Sequence, residues 1–568
     1  MVAAQRRRGP DVIDGGTTRS KVTGPAHLIL TGGRVQTHDA ARRVAEAIAV
    51  RQGRIIAVGT AREVRPLAGP RTRVIELAGR MVLPGFQDTH VHPPIGGLAR
   101  LRCDLHEQRG LDTYLRIVRG YADGHPDETW IRGAGWHMPD FPGGTPQRAD
   151  LDRVVPDRPV FLRNRDAHGA WVNTRALELA GITSATPDPP DGRIERGASG
   201  VPSGTLHEGA MRLVEPLLPP DTPADLESAI RLAQAHLHGL GITAWQDACV
   251  TPEVLDAYRA LAGRGELTAR VVAALWWERG KGSEQIDELI ERRGRSEIGR
   301  LRATSVKIMQ DGVLENFTGA VLEPYLDRHG ELTTNRGISF VDPEALKGHV
   351  TRLDAAGFQV HFHAIGDRAV REALAALEAA RHANGASDGR HHIAHLQVVH
   401  PDDLPRFRAL GVVANVQALW AFHGAQIDKL TIPYIGPDRS RWQYPFASLR
   451  RAGAALCMGS DWSVSSANPL LQIEVAVQRV AAADRDGKPF LPEERLDLPT
   501  ALEAFTIGSA YVNHLDRLTG SLEAGKAADL VVLDRDLFAP DASQIGEARV
   551  LLTMVGGEPV HEDPGLGA

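Results

Sequence analysis

The feature that most constrains the fold is a cycle, repeated between about residues 221 and 461, in which a helical stretch stops at a glycine and a short apolar strand follows. In DTPADLESAIRLAQAHLHGLG, residues 221–241, Thr222 can cap a helix, Pro223 suits its first turn, apolar residues recur near helical spacing and a glycine ends it; ITAWQDA follows as a strand. A helix opening near Asp342-Pro343 runs to Gly357 and gives way to FQVHFHAIGD. Helices over about 367–383 and 401–410 lead to HHIAHLQVV and VVANVQ, and LRRAGAALCMGSD, residues 449–461, makes the same passage. Repeated units of this kind pair their strands in parallel, as an α/β barrel or a doubly wound sheet. No Gly-X-Gly-X-X-Gly opens a helix, so the dinucleotide fold lacks its signature.

At 568 residues and 42% hydrophobic content the chain exceeds one ordinary compact domain and can bury a large core. Residues 27–83 read as β, with HLILTGG, AIAVRQGRIIAVG and RVIELAGRMVLPG punctuated by glycine, and the texture returns in GSLEAGKAADLVVLDRD (520–536) and VLLTMVGGEPVHE (550–562). Two such segments at opposite ends combine most simply into one small β domain. Residues from about 100 to 205, rich in Gly, Pro, Arg and Trp, fit neither texture and read as a subdomain inserted near the barrel mouth. Residues 1–24 carry Arg6-Arg7-Arg8 with no apolar segment behind them, which reads as a disordered leader, neither secretory signal nor anchor.

The net charge of −6 and the lack of any other dense basic tract argue against nucleic acid and membrane surfaces and leave a small molecule as the expected partner. Cys103, Cys249 and Cys457 are odd in number and far apart, which argues against a disulfide framework and for a reducing, cytoplasmic setting in which they are small buried side chains.

The chemistry-bearing residues fall near the predicted C-terminal ends of strands, where a parallel barrel builds its active site. In LPGFQDTHVHPP, Asp88, His90 and His92 alternate and would share one face of a strand. In TSVKIMQDG, Lys307 shares parity with Ser305, Met309 and Asp311; an apolar strand carries a lysine only at a cost unless it is neutral, paired or modified. VHFHAIGD adds His361 and His363, HIAHLQ adds His395, and CMGSDW ends on Asp461. Each has a structural alternative: Lys307 paired with Asp311, His395 a satisfied core histidine, Asp461 a cap. Their joint occurrence at strand ends argues for a metal site.

Read in order, PGFQDTHVH, AHGAWVNTRALELAGI, SGTLHEGA, VKIMQDG, HFHAIGD, IAHLQ, GSDWSVSSANPL, AFTIGSAY and GSLEAGKAADLVVLD resemble the amidohydrolase superfamily. Within it they resemble the YtcJ-like amidohydrolase family 3, which includes N-substituted formamide deformylases. The resemblance spans residues 27–562 and implies a distorted (β/α)₈ TIM barrel over 84–514, interrupted by the insert. It also implies a small β-sandwich built from 25–83 and 515–568. Carried over residue by residue, it implies His90 and His92 on one divalent metal with Asp461, His363 and His395 on a second, and Lys307, carbamylated by CO₂, as the bridge. Zn²⁺ suits such ligands. Two positions depart from the pattern: Ala394 stands where an acidic residue is usual, and Gln417-Ala418 replaces Gln-Pro.

The implied reaction is hydrolysis of an amide-type C–N bond, with Asp461 as general base. A mononuclear deaminase of the same fold would use His90, His92, one further histidine and Asp461, and leave Lys307 structural. A metal-free scaffold and a barrel lyase or isomerase are the more distant readings. Trp136, His168, Trp171, Asn173 and Glu208, in or just after the insert, are candidate substrate contacts, with packing of the subdomain as the alternative; aromatic lining would favour an apolar or aromatic N-substituent. Asp88 would orient the histidine pair, and Asp311 would order the turn after Lys307 or reach the pocket. A homodimer is the base-rate assembly.

Overall fold

Eight short strands hydrogen-bond in parallel and in chain order: β1 (Phe86–Val91), β2 (Ile242–Val250), β3 (Arg270–Trp276), β4 (Leu301–Met309), β5 (Gln359–Ala364), β6 (His392–His395), β7 (Val413–Val416) and β8 (Ala455–Met458). They are seen in a computed structural model that describes residues 24–539 and 544–567. The leader expected over residues 1–24 lies outside those residues except for Gly24. No backbone ladder joins β8 to β1, but Thr89 Oγ1 donates to the Met458 carbonyl at 2.8 Å. Just past the strand ends, Asp461 N donates to His90 O at 2.7 Å and His92 N to Trp462 O at 2.8 Å. The ring is therefore stitched at the end that carries the metal-competent residues, and a nearly closed barrel replaces the doubly wound alternative.

The helices form where local signals demand them. Thr222 accepts from Asp225 N while the Asp225 side chain accepts from Thr222 N, a reciprocal cap on α1 (Pro223–Gly239). Its buried Leu226, Ile230, Ala233 and Leu237 recur along one stripe and pack in one core with Phe86 and Trp245. Each buried leucine or isoleucine contributes roughly 1.5–3 kcal/mol. Asp342 caps α2 (Pro343–Ala355), and α3 (Asp367–Asn384) lays an alanine- and leucine-rich face on the barrel.

Strands from the two chain ends, Leu28–Gln36 through Met81–Pro84 and Leu530–Leu533 through Glu558–Glu562, join in one eight-stranded hydrogen-bonded sheet, with Leu533 opposite Met81 and Leu530 opposite Pro84. Between β1 and α1 a six-stranded sheet, Cys103–Asp104 to Pro202–Glu208, surrounds its own core. It reaches the barrel loops through Arg165 Nε, which donates to Val464 O at 2.7 Å, and an Arg193 amine, which donates to Asn316 O at 2.9 Å. The three cysteines are free thiols. Among the described residues no helix is long and apolar enough to cross a membrane.

Candidate metal centre

β1 does not keep strict alternation. Three steps along it, from Asp88 to Val91, oppose two steps along β2, from Trp245 to Asp247, so one extra residue bulges from β1. Asp88 consequently does not sit with the histidines: its Oδ1 accepts from His90 N at 3.1 Å and Ser460 N at 2.9 Å, tying the end of β1 to the segment after β8. Burial pushes this carboxyl up to about 7, against the pull of those bonds. His92 lies past the strand, at the cap of the helix Pro93–Leu101. Gly459 packs against β1 so closely that a Cβ there would lie 2.6 Å from the Cβ and the backbone N of His90. Only a hydrogen fits.

Five side chains from four strand ends converge. Asp461 Oδ1 is 3.2 Å from His92 Nε2 and 3.4 Å from His90 Nε2, and Asp461 Oδ2 is 3.9 Å from His395 Nδ1. Ring centroids lie 4.6 Å apart for His90 and His395 and 4.3 Å for His363 and His395. His90, His395 and Asp461 each offer an atom within 4.8 Å of the others, a spacing one cation can span. Both ring nitrogens of His363, Nε2 of His395 and Nδ1 of His92 are buried without a hydrogen-bond partner. Unpartnered buried polar atoms are costly, and so many in one cluster of imidazoles around a carboxylate fit a divalent metal such as zinc. Burial and neighbouring cationic groups drive the pKa of His90, His363 and His395 well below the ordinary value, so the rings are neutral, the form that ligates. Asp461 is held below the usual carboxylate range: burial acts against its charge, but the hydrogen bond from His92 and the pull of the surrounding imidazoles and Lys307 outweigh it.

Lys307, on β4 between Trp276 and His361 of the neighbouring strands, is 1% exposed. Burial brings its amine down to about 7, against the pull of Asp461 and Cys249, so a neutral amine is accessible near neutral pH.

Of the two β5 histidines, His361 has a different task. Its Nε2 is 2.8 Å from His90 Nδ1. The contact holds the plane of His90, and were His90 Nε2 to ligate a metal, its Nδ1–H would be left to donate to His361. Deeper in the barrel His392 Nε2 donates to Gln246 Oε1, and its Nδ1 accepts from Asn415, whose Oδ1 accepts from Gln417. Gln417 Oε1 in turn accepts from His395 N at 2.7 Å. Sequence parity could not separate His361 from His363; the hydrogen bond does.

His363, His395 and Asp461 of the cluster line a cavity. His168 lines it, with Nδ1 at 2.7 Å from Glu208 Oε1, which also accepts from Thr318 and Asn316. Burial disfavours the His168 charge, but Glu208, and then Asp166 and Asp461, outweigh it and raise the imidazole to about 9. His395 (φ 78°), Asp461 (φ 58°) and Glu208 (φ 50°) all occupy the left-handed region. Such backbone is uncommon outside glycine, costs about 1–3 kcal/mol and gathers at functional sites.

Other expected contacts fall elsewhere. Trp136 and Trp171 are fully buried in the core of the inserted subdomain, where their indole N–H groups donate to Leu162 O and Gln147 O. Asn173 caps the helix Thr174–Leu179 and donates to Val155 O and Arg158 O. These three support the subdomain because the apolar bulk and amide that suit a pocket suit a core equally well. Asp311 accepts from Ala320, Ile365 and Gly366 N–H groups, so it orders the turn without lining the cavity, with its Oδ1 3.3 Å from His363 Nδ1 but not hydrogen-bonded to it. The cavity instead takes Asp166, Glu315, Gln397, Trp420, Gln426 and Tyr444. They come from loops and short helical turns far apart in the chain, so no spacing in the sequence signals their convergence.

The family model described as "Amidohydrolase family" matches residues 73–561. Protein LONG AFTER FAR-RED 3 of Arabidopsis thaliana is 32% identical over 94% of this chain and 92% of its own length. The N-substituted formamide deformylase of Arthrobacter pascens is 29% identical over 95% of this chain and 99% of its own. Among solved structures, an uncharacterized metal-dependent hydrolase from Pyrococcus horikoshii OT3 superposes with a TM-score of 0.71 at 26% identity, covering 92% of this chain and 99% of that one.

Proposed function

The chain belongs to the amidohydrolase family, and on that premise we propose that it hydrolyses a non-peptide amide-type C–N bond in a small N-acyl molecule, with N-substituted formamides the first class to try. The observation that carries this reading is the convergence of His90, His92, His363, His395 and Asp461, the last three lining one cavity, with ring nitrogens left unpartnered. His90, His92 and Asp461 would hold one divalent ion, His363 and His395 a second, and Lys307 would bridge them as a carbamate; its neutral amine is the form that adds to CO₂. Bound there, zinc or a similar ion would polarise the substrate carbonyl and make hydroxide available near neutral pH.

The chain's own residues supply the rest. Asp461, anionic and buried, takes the proton of the attacking water and later gives it to the departing nitrogen. His168, its charge held by Glu208, faces the same cavity as a cationic donor for the oxygen that gains charge as the carbonyl carbon becomes tetrahedral. His361 holds the plane of His90, and Gln417 holds the strained backbone of His395.

The meeting of only His90, His395 and Asp461 within single-cation distance among the described residues favours a second reading, a mononuclear deaminase-type site. Elemental analysis separates the two, together with an assay that distinguishes amine from ammonia release. About two metals per chain, falling to about one in Lys307→Met, support the bridged hydrolase; about one in both proteins supports the mononuclear site; none after reconstitution removes the metal reading.

A further inference from the structure

Beyond the histidine cluster and the His168–Glu208 pair, the charged lining of the cavity is acidic. Three carboxylates line it, Asp166, Glu315 and Asp461, and none of its described lining residues is a lysine or arginine. Asp461 belongs to the histidine cluster, and His168, the cavity's one cationic side chain, is bound to Glu208. Asp166 and Glu315 arrive from unrelated parts of the chain. Asp166 follows the strand Val160–Asn164 of the inserted subdomain, and its Oδ1 accepts from His168 N at 2.9 Å. Glu315 sits in the turn Leu314–Asn316 after β4, and its Oε1 accepts from Thr431 Oγ1 at 2.6 Å.

Those donors are a backbone amide and a hydroxyl. The His168 imidazolium attracts Asp166 but is bound to Glu208, and among the described residues neither Asp166 nor Glu315 has a guanidinium or ammonium partner, an arrangement that disfavours an anionic ligand and is relieved by a cationic one. Burial raises both carboxyls, and the Asp166 charge pushes Glu315 further in the same direction. The aromatic residues Trp420 and Tyr444 share this cavity, and aromatic faces attract ammonium groups.

We propose that the amine half of the substrate carries a second, positively charged nitrogen seated between Asp166 and Glu315 beside Trp420, making N-acylated diamines the preferred substrate class and rejecting N-acyl amino acids, whose carboxylate would meet the two acids. This rests on the hydrolase reading above. The water oxygen adds to the acyl carbon, the C–N bond breaks and the nitrogen leaves with the water's proton, so the products are a carboxylic acid and the free diamine. The remote ammonium gives position only.

The test uses full-length, zinc-reconstituted protein and length-matched N-formylcadaverine, N-formylhexylamine and N-formylaminocaproate. Wild type is expected to favour the cation over the neutral substrate by roughly tenfold or more in kcat/KM, and over the anion by roughly 100-fold. Glu315→Gln and Asp166→Asn should each shrink the cation-to-neutral ratio by roughly tenfold, mainly through KM. A neutral substrate turned over as well as the cation by wild type would overturn the proposal and leave the hydrolase reading standing. If no amide is turned over, the hydrolase reading itself fails. Calorimetry with n-butylammonium and n-butyrate then decides the charge preference: tighter ammonium binding that weakens in Glu315→Gln upholds the acidic subsite, and equal or reversed binding overturns it.

Discussion

Replacing Asp461 with asparagine separates its chemistry from its structural part. The residue has φ 58°, its N–H donates to His90 O at 2.7 Å, and its Oδ1 lies 3.2 Å from His92 Nε2. Asparagine tolerates left-handed backbone much as aspartate does and keeps an oxygen at Oδ1, so the turn and the backbone bond survive. Alanine would add about 1–2 kcal/mol of strain. What asparagine loses is the proton acceptor. General base catalysis is worth about 10²–10⁴ in rate, which corresponds to ~3–5 kcal/mol in activation free energy. The expected result is a fall of that size in kcat for an N-formyl amine, followed by formate release, with the histidines retaining metal by elemental analysis. The thermal midpoint should stay near wild type for Asp461→Asn and fall for Asp461→Ala. A kcat within roughly fivefold of wild type at equal metal content would refute the base assignment.

Three further outcomes follow from geometry. His361→Asn removes the ring nitrogen that holds His90, so zinc affinity, measured by chelator competition, should weaken by roughly 10–100-fold, and unchanged affinity would show that the contact is packing alone. Gly459→Ala places a methyl 2.6 Å from His90, and should lower stability by about 1–3 kcal/mol and reduce bound metal together; a variant with normal metal content would show that β1 can yield. His38 and His238 are buried with their imidazoles lowered to about 4, burial being the leading cause in both. In the unfolded chain they titrate near 6.5, so the unfolded state takes up protons first as pH falls. Their contribution is fully present above 6.5 and lost as pH drops through about 4, by ~3 kcal/mol each. Urea unfolding between neutral and acid pH should show the decline, and His38→Gln should remove its share of the slope; an identical slope in the variant would contradict it.

The same geometry separates unpartnered side chains from engaged ones. A histidine pair at alternate positions supplies one unpartnered ring, His363, and one ring engaged with another histidine, His361. Asp88 and Asp311 act through backbone N–H groups at two places around the barrel rim, each joining a strand end to its neighbour. That shared pattern explains why each carboxylate lies close to a clustered histidine in sequence or space without belonging to the cluster.

By itself the sequence determined the cycle of helices and strands, because a cap such as Thr222–Asp225, a glycine stop and the apolar stripe of α1 act over a few residues. It also marked His90, His92, Lys307, His363, His395 and Asp461, since functional groups at the ends of buried strands stand out against apolar neighbours. Tertiary structure alone decided the bulge that turns Asp88 aside, the bond that makes His361 a support, and the removal of Trp136, Trp171 and Asn173 into the subdomain core. It alone brought Asp166 and Glu315 to the same cavity. A helix or strand repeats at a fixed period and so leaves its trace in spacing. A pocket wall is made by loops that meet only after the barrel closes, and nothing in the spacing of residues that far apart encodes the meeting.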